Sequence, residues 1–96
     1  MANEVRHNIE ASRYELYVDG ALTGIADYRI DGDRIVFPHT EIKASQRGNG
    51  LGAVLVRGAL EDVLPSGRTV VPRCWYVAEF IDEHPEYQGL VATATG

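Results

Sequence analysis

Polar and apolar residues alternate through the first half of the chain, and the period changes near residue 50. Glu4 to Ile9 alternates weakly and Arg13 to Val18 clearly, with Tyr14, Leu16 and Val18 on one face of a strand. Asp19-Gly20 is a tight-turn signal between two strand-like runs. Leu22 to Ile30 reads as a third strand with Leu22, Ala26, Tyr28 and Ile30 in phase. Gly24 falls on the same face and marks a close backbone approach. Asp31-Gly32-Asp33 forms the next turn, and Arg34 to Phe37 and Thr40 to Ala44 follow, separated or bent at Pro38. The pattern predicts an antiparallel meander joined by short turns.

From Gly50 to Leu64 the period is helical. Ala53, Arg57 and Glu61 share one face a turn apart, while Leu51, Val54, Leu55, Leu60, Val63 and Leu64 cover the rest. So wide an apolar surface predicts deep packing on the sheet. Pro65-Ser66-Gly67 stops this helix, Thr69 to Val71 reads as a short buried strand, and Trp75 to Ile81 as a shorter helix ending near His84-Pro85. The order predicts an α+β fold, a mostly antiparallel mixed sheet with one long and one shorter helix. A strand–helix–strand crossover would make its two strands parallel neighbours. Residues 1–96 contain no repeat or low-complexity segment and are expected to form one domain with a small core.

Charge narrows the function. Fourteen acids against nine bases give a net charge of −5, which argues against a nucleic-acid partner. A phosphate-bearing ligand remains compatible with bases gathered in one site. A single cysteine, Cys74, excludes a disulfide within the chain. With no basic-then-apolar leader and no apolar run of membrane-spanning length, the expected location is the cytoplasm. A monomer or weak homodimer is expected, with no membrane partner and no metal.

The segment Arg47-Gly48-Asn49-Gly50-Leu51-Gly52 carries the chemistry. Glycine costs backbone entropy and is kept where φ is positive or where something approaches the backbone. At a helix N-terminus the amides converge and the helix dipole adds partial positive charge, so Gly48 to Gly52 can present several N–H groups to a phosphate. Arg47 adds a local charge. A plain turn would not need Gly52, which weakens the first helical turn by about 1 kcal/mol relative to alanine. A P-loop is excluded, because Ala53-Val54 follows where Lys-Ser/Thr is required. The dinucleotide fingerprint is matched formally by Gly48-x-Gly50-x-x-Ala53. Its context fails, because a meander precedes it and Arg68 stands where an acid belongs.

At these residues the chain resembles the GNAT superfamily of N-acyltransferases, whose coenzyme-A signature Gln/Arg-x-x-Gly-x-Gly/Ala is met by Arg47 to Gly52. The strand Thr40 to Ala44 before it and the apolar helix after it fit the same pattern. The pair His39-Thr40, the run Pro72-Arg73-Cys74 and the tail His84-Pro85-Glu86-Tyr87 resemble a small stand-alone branch of that superfamily. Trp75 departs from the small or polar residue expected after the cysteine. The resemblance implies acetyl-CoA as cosubstrate and an amine as acceptor. It implies main-chain hydrogen bonds from Ile42 and its neighbours to the pantetheine arm, and a pyrophosphate site at Arg47, Gly48, Asn49, Gly50, Leu51 and Gly52. It also implies a sheet that splays between its fourth and fifth strands, which suits Pro72 with its missing amide donor. Two helices that larger relatives insert after their first strand are missing, so acceptor identity does not carry over. A non-catalytic module binding CoA or acyl-CoA is the alternative.

Acetyl transfer to an amine needs a base, oxyanion stabilisation and a proton for the departing thiolate. His39 and Glu41 alternate to one side of their strand, and either suits the base, directly or through water. Cys74 suits a nucleophile carrying the acetyl group if His39 approaches it, or a proton donor to the thiolate. Each has a plain counterpart: a buried small hydrophobe for Cys74, a hydrogen-bonded strand residue for His39, a solvated acid for Glu41. Tyr76 and Tyr87 read first as packing residues and second as the acid.

Overall fold

The computed structural model describes residues 2–48 and 50–91. Five strands lie side by side in chain order: β1 (Asn3–Asn8), β2 (Arg13–Val18), β3 (Ala21–Asp31), β4 (Arg34–Ile42) and β5 (Thr69–Val71). The first four pair antiparallel, and β5 pairs parallel to β4 across the crossover helix α1 (Leu51–Val63). Helix α2 (Trp75–Glu83) and a 3₁₀ segment (Pro85–Leu90) follow. The α+β class and the parallel β4–β5 pair are those the sequence order predicts. The Asp19-Gly20 turn has φ of 50° and 84° at its two residues, the left-handed pair that a two-residue hairpin between Val18 and Ala21 requires.

Two bulges set the faces of the sheet. On β3, Leu16 pairs with Gly24 and Tyr17 with Leu22, so Thr23 is an extra residue. The insertion flips the phase of what precedes it. Leu22, expected on the core face with Ala26 and Tyr28, therefore shares the opposite face with Tyr17 and is 40% exposed. Ile30 keeps its phase but lies beside the hairpin end and is also exposed. On β4, Asp27 pairs with His39 and Arg29 with Val36, so both Phe37 and Pro38 oppose Tyr28. Pro38 sits where the ladder is already disrupted, and β4 bends there without breaking.

Helix α1 buries Leu51, Leu55, Val56, Ala59, Leu60 and Val63. These pack with Tyr14, Leu16, Ala26 and Phe37 of the sheet and with Val77, Phe80 and Ile81 of α2. The deep packing expected of an apolar helix is present, while Leu64 falls in the 3₁₀ turn Leu64–Ser66 and is exposed. A Cβ at Gly58 would lie 2.7 Å from Val5 Cγ2, so that glycine lets β1 lie close on the helix. At the far end of α1, Tyr14 Oη donates to Asp62 Oδ2 at 2.7 Å. His7 spans Asp62 at 3.1 Å and Tyr28 Oη at 2.6 Å, which ties β1 and β3 to the helix.

Candidate functional site

The parallel pairing of β4 and β5 covers only Arg34–Thr69 to Val36–Val71. Beyond it β4 bulges at Pro38 and the chain leaves β5 through Pro72, which has no amide to continue the ladder. The Cys74 amide donates to the Phe37 carbonyl at 2.8 Å and closes the narrow end of the resulting wedge. The Lys43 amide bonds to the Thr23 carbonyl of β3, so strand alternation turns the main chains of Ile42 and Thr40 toward the open edge. A cavity of about 650 Å³ occupies this opening and runs to the N-terminus of α1.

At that end, Arg47 Nε donates to the Ile42 carbonyl at 3.1 Å and pins the loop to the end of β4. Gly48 and Gly50 have φ of 88° and 72°, and a Cβ at either would meet nothing within 4 Å. Their glycine requirement is conformational, and it leaves the loop surface open. Gly50 is the N-cap of α1, which has no side-chain cap and no acid in its first turn. Among the described residues, the amides of that turn are thus without a side-chain acceptor at the positive end of the dipole, an arrangement suited to phosphate oxygens. Ile42, Arg47, Gly48, Gly50, Leu51 and Gly52 all line the cavity; Asn49 lies outside the described residues. Gly52 has a different cause: a Cβ there would stand 2.6 Å from Tyr76 Oη. The glycine admits a phenol of α2 to the helix N-terminus.

His39, Glu41 and Cys74 line the same cavity but face different partners. His39 Nε2 lies 3.5 Å from Glu41 Oε2, and both side chains are more than half exposed. Thr40, which alternates to the other side of the strand from His39, faces Cys74. The structure therefore brings His39 to Glu41 and Cys74 to Thr40, with no hydrogen bond between His39 and Cys74 among the described residues. Burial pushes the Cys74 thiol up, but the Val77 amide, the Thr40 hydroxyl, and the amides of Tyr76 and Thr40 together outweigh it and hold its pKa below the ordinary value. These groups approach the sulfur without completing a cap, and the Thr40 hydroxyl is buried without a fulfilled hydrogen bond. Alkylation of Cys74 by iodoacetamide should accordingly reach half its limiting rate at a lower pH than a free thiol does, since thiolate is the reacting form. A midpoint at or above that of a free thiol would remove the assigned cause.

Tyr76 completes the constellation. Burial raises its pKa first and the carboxylates of Glu79 and Glu83 add to this, so the phenol stays protonated near neutrality. The sequence signal for its position is Gly52, whose missing side chain is the space the ring occupies.

A wedge between a fourth and a fifth parallel strand, with an uncapped glycine-led helix at its end, defines a class. The profile of GCN5-related N-acetyl-transferases matches residues 13–90, and the chain belongs to that family, whose members generally use acetyl-CoA. Among particular relatives, it is similar to Protein NATD1 of Bos taurus, 36% identical over 64 residues, 66% of this chain and 57% of that protein. It is also similar to Protein NATD1 of Gallus gallus, 28% identical over 89 residues, 91% of this chain and 81% of that one. The bovine match thus spans less than two thirds of that relative. In fold it is similar to a GCN5-like protein of Staphylococcus aureus, with a TM-score of 0.72 at 16% identity over 96% of this chain and 90% of that one. The ribosomal-protein-S18-alanine N-acetyltransferase of Escherichia coli gives 0.63 at 13% identity, over 75% of this chain and 50% of that one. Among the described residues, no helix is long and apolar enough to cross a membrane.

Proposed function

We propose that residues 1–96 act as one acetyl-CoA-dependent N-acetyltransferase domain, in the cytoplasm, on an amine acceptor. One observation carries this reading. A single cavity joins an open strand edge, suited to an extended amide-bearing arm, to an uncapped helix N-terminus suited to a pyrophosphate. In this reading Ile42 and Thr40 hold the pantetheine arm through their main chain, and Arg47, Gly48, Asn49, Gly50, Leu51 and Gly52 form the pyrophosphate cradle.

The His39–Glu41 pair takes a proton from the ammonium form of the acceptor and leaves a neutral amine. The amine nitrogen then bonds to the acetyl carbonyl carbon, the carbon–sulfur bond breaks, the leaving thiolate takes a proton from Tyr76 or Cys74, and the second proton lost by the nitrogen restores that group. Direct transfer is favoured over an acetyl-cysteine route because His39 bonds to Glu41 rather than to Cys74, which leaves the cysteine without a base beside it among the described residues.

Titration calorimetry with acetyl-CoA should show a dissociation constant in the millimolar range or tighter, and absence of heat would sink the reading. Thiol release across a panel of amines separates the enzyme from its alternative, a non-catalytic module for CoA or acyl-CoA. One feature favours that alternative: only residues 9–12 separate β1 from β2, so no inserted helices roof His39 and Glu41. Binding without thiol release over the whole panel would establish it.

A further inference from the structure

Trp75 is 72% exposed, the most exposed large hydrophobic side chain among the described residues. It is also the sole tryptophan of the chain. It opens α2 immediately after Cys74 and lines the wall of the same cavity as His39 and Glu41. The ring is held perpendicular to Tyr76, with centroids 5.6 Å apart and planes at 84°, and its exposure leaves indole surface open to solvent. Core packing therefore does not account for it.

Glu41 is a carboxylate on the cavity wall, and Glu79 and Glu83 place negative potential at neighbouring Tyr76. Among the described residues, the one Arg or Lys on that wall is Arg47, at the loop end and bonded to the Ile42 carbonyl. Arg73, next to Cys74 in sequence, is exposed and does not line the cavity. An open aromatic face in a cavity that a carboxylate also lines is suited to an organic cation, because the ring quadrupole and the acid attract the same charge.

We propose that Trp75 and Glu41 recognise the acceptor as an ammonium ion, so that the substrate class is an aliphatic amine, either free or at the end of a lysine side chain. This rests on reading the cavity as the transfer site. It adds that the acceptor arrives protonated and docks on Trp75 before losing its proton to His39 and Glu41. Neutral aromatic amines and alcohols are disfavoured, since neither offers a cation to the indole.

The single tryptophan reports on its own site. Tetramethylammonium and a short alkyl-trimethylammonium, which cannot be acetylated, should change Trp75 fluorescence saturably, in the presence and absence of CoA. The neutral tert-butyl isostere should not, and Glu41→Gln should weaken the ammonium response. In turnover, Trp75→Ala should raise the acceptor KM roughly 5- to 30-fold while the acetyl-CoA dissociation constant stays within about twofold, and Trp75→Phe should restore part of the loss. Free alkylamines and lysine-containing peptides run as separate arms identify the source of the amine. An equal response to the cation and its neutral isostere, or none to either, overturns the proposal even where acetyl-CoA binds. Failure of acetyl-CoA to bind overturns the transferase reading instead and leaves the fluorescence result standing on its own.

Discussion

Gly50→Glu is expected to abolish acetyl-CoA binding while leaving the protein about as stable as Gly50→Ala. Both substitutions place a Cβ at φ 72°, where a side chain costs about 1–2 kcal/mol, and neither meets an atom within 4 Å. Strain is thus common to the two variants and cancels in the comparison. The carboxylate differs. At the N-terminus of α1 it is favourable to the helix by about 0.3–1 kcal/mol, and it takes the place where the phosphates would bind. A like charge at close range near the surface costs about 3–4 kcal/mol, which is a loss of more than a hundredfold in affinity. Calorimetry should show Gly50→Ala binding within about tenfold of the parent and Gly50→Glu showing no heat. Thermal unfolding should place the two close together. Equal affinities would mean that the pyrophosphate lies elsewhere.

The loop was legible because its cause is local. A positive φ and an uncapped helix start are properties of a few adjacent residues, and Gly48 and Gly50 declare them without help from the rest of the chain. The same holds for the Asp19-Gly20 hairpin and for the helical period of Leu51 to Val63. Features that depend on the partner strand were not legible. Leu22 alternates correctly with Ala26, yet one extra residue at Thr23 turns it outward, and nothing local distinguishes an inserted residue from the next step of a strand. The polar link from His7 to Asp62 and Tyr28 joins residues up to 55 positions apart, and composition carries no trace of it.

Gly52 shows how a residue noticed for one close neighbour has a second. Its cost inside a helical turn rightly signals that something comes close, and a phosphate was the natural candidate next to Gly48 and Gly50. The group that comes close is the phenol of Tyr76, 24 residues later in the chain. That changes the reading of both residues. Oη of Tyr76 is the atom a Cβ at Gly52 would meet first, so the glycine makes room for the hydroxyl as well as the ring.

Gly52→Ala and Tyr76→Phe should therefore each lower kcat about 10- to 100-fold, and the double variant should be no slower than the slower single one. The first pushes the phenol away, since the new Cβ would stand 2.6 Å from Oη and 2.8 Å from Cζ. The second removes its proton, and a positioned general acid contributes roughly a hundredfold or more. Stability discriminates between the two roles available to Tyr76. Alanine gains about 1 kcal/mol of helix propensity over glycine at this position, against an overpacking cost of about 1–3 kcal/mol. Because the ring is partly exposed and able to swing, the net change should stay within about 2 kcal/mol by chemical denaturation. If Tyr76 only packs, the pattern inverts: Gly52→Ala destabilises and Tyr76→Phe leaves kcat near the parent value. If it donates the proton, turnover falls in both variants while the fold persists, and the effects do not add because both act on one hydroxyl.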